Sequence, residues 1–151
     1  MILSAQSIRR RVGMIEPFAE RGVFDGMSFG LSSHGYDVRL DEGVILHPRE
    51  FKLAATMERF SLPPDLMGAI HDKSTWVRRG LTVQNTLAEA GWRGFLTLEL
   101  INHSASVIRI REGTPIAQIV FHLLDEPTEQ AYSGKYQDQQ AGPQPARFER
   151  G

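Results

Sequence analysis

The sequence has 151 residues, 41% hydrophobic and 23% charged, with a formal net charge of −1. That is enough apolar material for one globular core spanning residues 1–151, and too little positive charge for the basic field that holds nucleic acid, so no nucleic-acid partner is expected. Cysteine is absent, which excludes disulfides and zinc-thiolate centres.

In chain order, the opening MILSAQSIRRR carries no apolar run of signal-peptide length, and no later run approaches a membrane span; a cytoplasmic location with no membrane partner is expected. Ser4 reads as the N-cap of a short helix with Ile8 and Val12 on one face. Residues 13–35, rich in Gly, Phe and Ser, show no period and read as an irregular wrapping loop. From Tyr36 onward the pattern turns to alternation: YDVRL, GVILHP and FKLAATMERFSLP read as half-buried strands, broken at Pro63-Pro64. LMGAIHDKS is a strand running into a polar turn, and Trp76 to Leu81 a helical turn closed by Gly80. LTVQNTL, GFLTLELIN, VIRI and PIAQIVFHLL follow as further strands. The tail from Gly134, with its Gly, Gln and Pro, reads by composition as disordered.

Many short strands at even spacing predict a mainly all-β chain, a sandwich, barrel or jelly roll. No Rossmann or Walker phosphate loop is present. Any phosphate site must then be built from individual residues.

Three segments carry a resemblance. Asp72-Lys73-Ser74-Thr75-Trp76-Val77-Arg78-Arg79-Gly80-Leu81 is similar to the Gly-Arg-Ser-Ser-Leu-x-Arg-x-Gly-Leu segment of the dCTP deaminase family. Ala90-Gly91-Trp92-Arg93-Gly94, followed by Leu98-Glu99, is similar to the family's Pro-Gly-aromatic-x-Gly…Leu-Glu segment. Gly134-Lys135-Tyr136-Gln137-Asp138-Gln139-Gln140 resembles its C-terminal Lys-Tyr-x-x-Gln arm. Tyr36 to Leu40 and Leu46-His47-Pro48 match further strands, so the resemblance runs in order from about Met1 to Arg147. It implies a distorted β-barrel or jelly roll of the dUTPase type, with a short N-terminal helix and a flexible arm over residues 134–151. It also implies a homotrimer that binds a deoxynucleoside triphosphate.

The activity implied is zinc-independent hydrolysis of dCTP to dUTP and ammonia, a step in dUMP and dTTP supply; the absence of cysteine rules out the His/Cys zinc centre used by other nucleobase deaminases. Such chemistry needs an activated water and a proton delivered to ring N3 and the leaving amine. A carboxylate of tuned pKa can serve both ends. The matched acid is Glu99, within GFLTLELI; period 2 alone would also allow it to be an ordinary solvated strand residue, and the strand does not read as cleanly two-sided. By resemblance Ser74 positions the base or water and Arg78 lies beside nucleophile and phosphates. A Ser-Thr pair is equally a good helix start. Lys73 stands where the family has arginine, keeping the charge and losing the bidentate fork. Thr75, Glu89, Thr97, Gln118, Tyr132, Lys135 and Gln139 match substrate-contacting positions, with the arm reaching a neighbouring subunit's site. Mg²⁺ is expected on the triphosphate, not in a protein cage.

The sequence departs from the family between the two active-site segments. Val83 to Glu89 replaces a Thr-Ala-x-x-Ile-Asp pattern and is about two residues short, and Glu89 stands for an aspartate. Base preference therefore stays open. A dUTP pyrophosphatase, a bifunctional enzyme running dCTP to dUMP, and a non-catalytic nucleotide-binding regulator (of dCTP, dUTP or dTTP) are the alternatives.

Overall fold

The computed structural model describes residues 1–150. A six-residue helix, α1 (Ala5–Arg10), precedes twelve strands and one further helical turn. The first three strands are β1 (Ile15–Glu16), β2 (Gly22–Phe24) and β3 (Met27–Leu31). β4 (Tyr36–Arg39), β5 (Val44–Leu46), β6 (Phe51–Ser61) and β7 (Leu66–Asp72) lead into α2 (Ser74–Val77). β8 (Leu81–Val83), β9 (Leu87–Ala88), β10 (Arg93–Asn102), β11 (Ile108–Ile110) and β12 (Pro115–Leu123) complete the set. The strands form a six-stranded sheet in the order β2-β3-β4-β12-β7-β9, a four-stranded sheet β1-β6-β10-β8, and the pair β11-β5. All recorded pairings between these strands are antiparallel.

This is the mainly-β architecture that the alternation predicts, with one core between the sheets. Tyr36, Phe60, Phe121, Leu98 and Leu100 are buried in it. The Phe60 and Phe121 rings meet at 6.5 Å across the sheets. Burial also pushes the Tyr36 hydroxyl up to about 12, its oxygen accepting the Ala19 N–H at 3.1 Å.

A bulge in β6 joins the sheets and fixes the register of β10. Phe95 faces Arg59, yet Thr97 faces Ala55, so β6 spends two more residues than β10 over this stretch. The displaced ladder acceptor is replaced by the buried Thr56 hydroxyl, which accepts the Leu96 N–H at 3.1 Å and donates to Glu58 O at 2.7 Å. The fully buried Glu58 carboxylate accepts both the Arg39 backbone N–H (2.9 Å) and its Nε (2.7 Å), tying β4 to β6. Burial pushes the Glu58 carboxyl up, and Arg39 works against that shift.

Several expectations are corrected. Residues 13–35 are not irregular; they hold β1, β2 and β3, with a tight turn at Asp25-Gly26, both at positive φ. Ile8 is buried but Val12 is 95% exposed, because the helix has ended at Arg10 and Val12 lies in the turn beyond. LTVQNTL is two strands, β8 and β9, in different sheets. The tail expected from composition to be disordered follows a defined path against β10. Among the described residues no helix is long and apolar enough to cross a membrane.

Candidate active site

β10 is cleanly two-sided, contrary to its sequence reading. Gly94, Leu96, Leu98, Leu100 and Asn102 are buried in the core, while Phe95, Thr97, Glu99 and Ile101 are half-buried on the other face. That second face is the wall of a cavity of about 450 Å³, the size of a small-molecule site. Glu99, Thr97, Glu89, Tyr132 and Gln139 all line it. The fold thus brings five of the expected site residues to one cavity.

Glu99 stands out electrostatically among the cavity residues. Its Oε2 is buried and has no hydrogen-bond partner among the described residues. Burial pushes its carboxyl above the usual glutamate range, opposed only by its own backbone N–H. A carboxylate held this way is costly to the fold, and such costs concentrate at functional sites. Its surroundings explain the shift, since Phe51, Leu53, Trp92 and Leu96 supply apolar lining and no cation.

The remaining matched residues stand away from this cavity on one chain. Ser74, Thr75 and Arg78 lie on or just after α2, outside the cavity lining. Ser74 makes no side-chain capping bond, and the N-cap position is Lys73. The Lys73 ammonium is largely buried in an ion pair with Asp37 (2.9 Å), and reaches Ser28 at 3.3 Å. Gln118 joins that cluster, its Nε2 3.2 Å from both Asp37 Oδ1 and Ser32 Oγ. Lys135 lies 3.4 Å from Glu149 and over the Tyr136 ring.

The arm closes over the cavity of its own chain. Gly94 and Gln139 form a parallel bridge, and Phe95 donates its N–H to Gln139 O at 3.0 Å. β8 pairs with β10 only as far as Leu100, and the bridge lies farther along the same edge, at Gly94. Gly94 is required here: its φ is 145°, and a Cβ would meet Gln139 N at 2.7 Å. Around it, Arg93 pairs with Asp138 at 2.8 Å, and Trp92 Nε1 donates to Tyr136 O at 2.7 Å. Trp92, Tyr136 and Gln144 also line the cavity. Trp92 and Tyr136 lie inside the matched segments, but only the fold gives them a place in the site, and Gln144 carries no local signal at all.

The fold is that of the dUTPases. The structure matches the dUTPase of Staphylococcus bacteriophage 80alpha, in a mutant form solved with dUpNHpp, at TM-score 0.58 and 19% identity, covering 80% of this chain and 93% of that one. Residues 32–124 match the family described as dCTP deaminase-like. The chain is 35% identical to the dCTP deaminase of Acidobacterium capsulatum, over 85% of this chain and 88% of the relative. It is also 35% identical to that of Pyrococcus horikoshii, over 91% and 92%. The chain belongs to the dCTP deaminase-like family.

Proposed function

We propose that the protein is a hydrolase that deaminates dCTP to dUTP and ammonia, with Glu99 as its acid–base group. The observation that carries this is the carboxyl of Glu99, its Oε2 buried and unpartnered and its pKa raised by burial, on the wall of a nucleotide-sized cavity, in a chain of this family. The carboxylate takes one proton as water oxygen bonds to C4 of cytosine. The two protons of that water end on N3 and on the departing amino nitrogen, the C4–N4 bond breaks, and the new oxygen becomes the uracil carbonyl. Ammonia release from dCTP, assayed beside pyrophosphate release from dUTP, tests the reading; no ammonia from dCTP refutes it.

A second reading has its own observation. Glu89 is a second carboxylate lining the cavity, and one able to orient a water toward phosphorus would give dUTP pyrophosphatase activity, alone or after deamination. Pyrophosphate release in the same assay decides it.

In this reading Ser74, Thr75, Arg78, Lys73, Gln118 and Lys135 belong to the same reaction through assembly. They sit off the Glu99 cavity of one chain, so a closed ring of copies would bring α2 of one subunit to the cavity of the next. The exposed apolar Phe51 (54%) and Leu87 (62%) on the cavity rim fit such a covered surface. Light scattering at micromolar concentration is expected to give the mass of a homotrimer; a fully active monomer would overturn the arrangement.

Mg²⁺ accompanies the substrate. Among the described residues only Glu89 and Glu99 bring carboxylates to the cavity, and no group of three or more metal-binding side chains exists. The triphosphate would therefore hold the ion, which would supply charge neutralisation there. Excess chelator is expected to raise the KM for dCTP, since a triphosphate without its cation meets the cavity carboxylates uncompensated; unchanged kinetics would count against it.

A further inference from the structure

The Thr97 hydroxyl is held by two donors. Gln139 Nε2 and the Gln144 backbone N–H both lie 3.0 Å from Thr97 Oγ1. Gln139 cannot be turned the other way, because the same nitrogen lies 2.8 Å from the carbonyl oxygen of Phe95, which only accepts. A hydroxyl has two acceptor lone pairs and one donor hydrogen. With both lone pairs taken by the arm, the hydrogen of Thr97 has only the remaining direction. Thr97 lines the cavity, and no protein group among the described residues accepts that hydrogen. Glu99 follows two residues on along the same face, its Cα about 7 Å farther along the strand, and its side chain lines the same cavity. A forced donor and a carboxylate thus line one cavity from neighbouring positions on one face of β10.

We propose that Thr97 is a positioning residue for the hydrolytic water, switched on by the arm. The water accepts a hydrogen bond from Thr97, donates its own hydrogen to Glu99 and keeps one lone pair for the attacked carbon. Without the arm, the Thr97 hydroxyl regains free lone pairs and can accept from the water instead, turning the water's lone pair away. Closure and alignment of the nucleophile are then one event. This rests on the deamination reading above.

The test is steady-state ammonia release from dCTP by the full chain, for Thr97→Val, Thr97→Ser, Gln139→Leu and the double variant Thr97→Val/Gln139→Leu. Thr97→Val should lower kcat by on the order of 10- to 100-fold, as expected for a misaligned nucleophile, with KM changed less than about threefold. Thr97→Ser keeps the hydroxyl and should rescue kcat to within about threefold. In the Gln139→Leu background the valine should cost less than about threefold more, because the pair acts as a unit. Wild-type kcat in Thr97→Val, a loss carried by KM alone, failure of serine to rescue, or the same cost in both backgrounds would each overturn the inference. A wild type that releases no ammonia instead overturns the proposed function.

Discussion

Glu99→Gln is expected to cut ammonia release from dCTP by about 10³-fold or more, the scale of a lost general acid–base group, while nucleotide binding survives. The amide matches the carboxyl in size and can still hydrogen-bond, but it cannot take a proton from water. Isothermal titration with dCTP separates the two effects. Turnover near wild type would remove Glu99 from the mechanism.

The same residue sets the acid limb of the pH profile. The working form for attack is the carboxylate, and burial raises its pKa. Activity should therefore decline as pH falls through a pKa above the ordinary glutamate range, and the limb should vanish in the glutamine variant. The stability sign is opposite to that of an ion-paired acid. Between its unfolded and folded pKa values the folded state holds more of the Glu99 proton, so stability is lost as pH rises through that window. Above that window the charged, unpartnered carboxylate costs stability, and there Glu99→Gln should melt at or above the wild-type temperature. A clear drop in melting temperature would mean that Glu99 is a structural residue.

The apolar runs between turn residues make β4, β6, β7, β10 and β12 legible as strands; burial alternates along β7 and β10, where one face packs on the core, while β4 and most of β12 are buried on both faces. β1, β2 and β3 are not legible: they are two, three and five residues long, and Gly22, Gly26 and Gly30 interrupt any alternation. Glu99 can be picked from its matched position, but not the burial of its Oε2, which comes from packing that no local pattern records. Lys73 keeps the charge of the family's arginine, yet only the fold reveals that Asp37 from β4 neutralises it. Composition misjudges the arm because it measures what a segment buries by itself. The arm's order is borrowed from the unpaired edge of β10 and the Trp92 indole, and no local pattern records that edge.

Deleting the arm from Gly134 onward is expected to leave the fold intact and to lower deamination by about 100-fold or more, the scale set by loss of alignment in the site. The sheets and their core end at β12, and the arm adds no residue to the core cluster apart from the support of Tyr132, which the deletion spares. What the deletion removes is specific: the partner of Gly94, the Asp138 ion pair, both donors to Thr97, and Gln144, Pro145 and Ala146 from the cavity wall. Open to water, the cavity would let solvent compete for Glu99 and lower the raised pKa that burial gives it. The truncated chain should therefore show a melting temperature close to wild type and an acid limb moved toward the ordinary glutamate range, together with its loss of rate. The single substitution Gly94→Ala should reproduce much of that loss with the arm still attached, since its Cβ would strike the Gln139 backbone. Full activity in the truncated protein would show that the strap takes no part in the reaction, and would remove with it the coupling between arm and water.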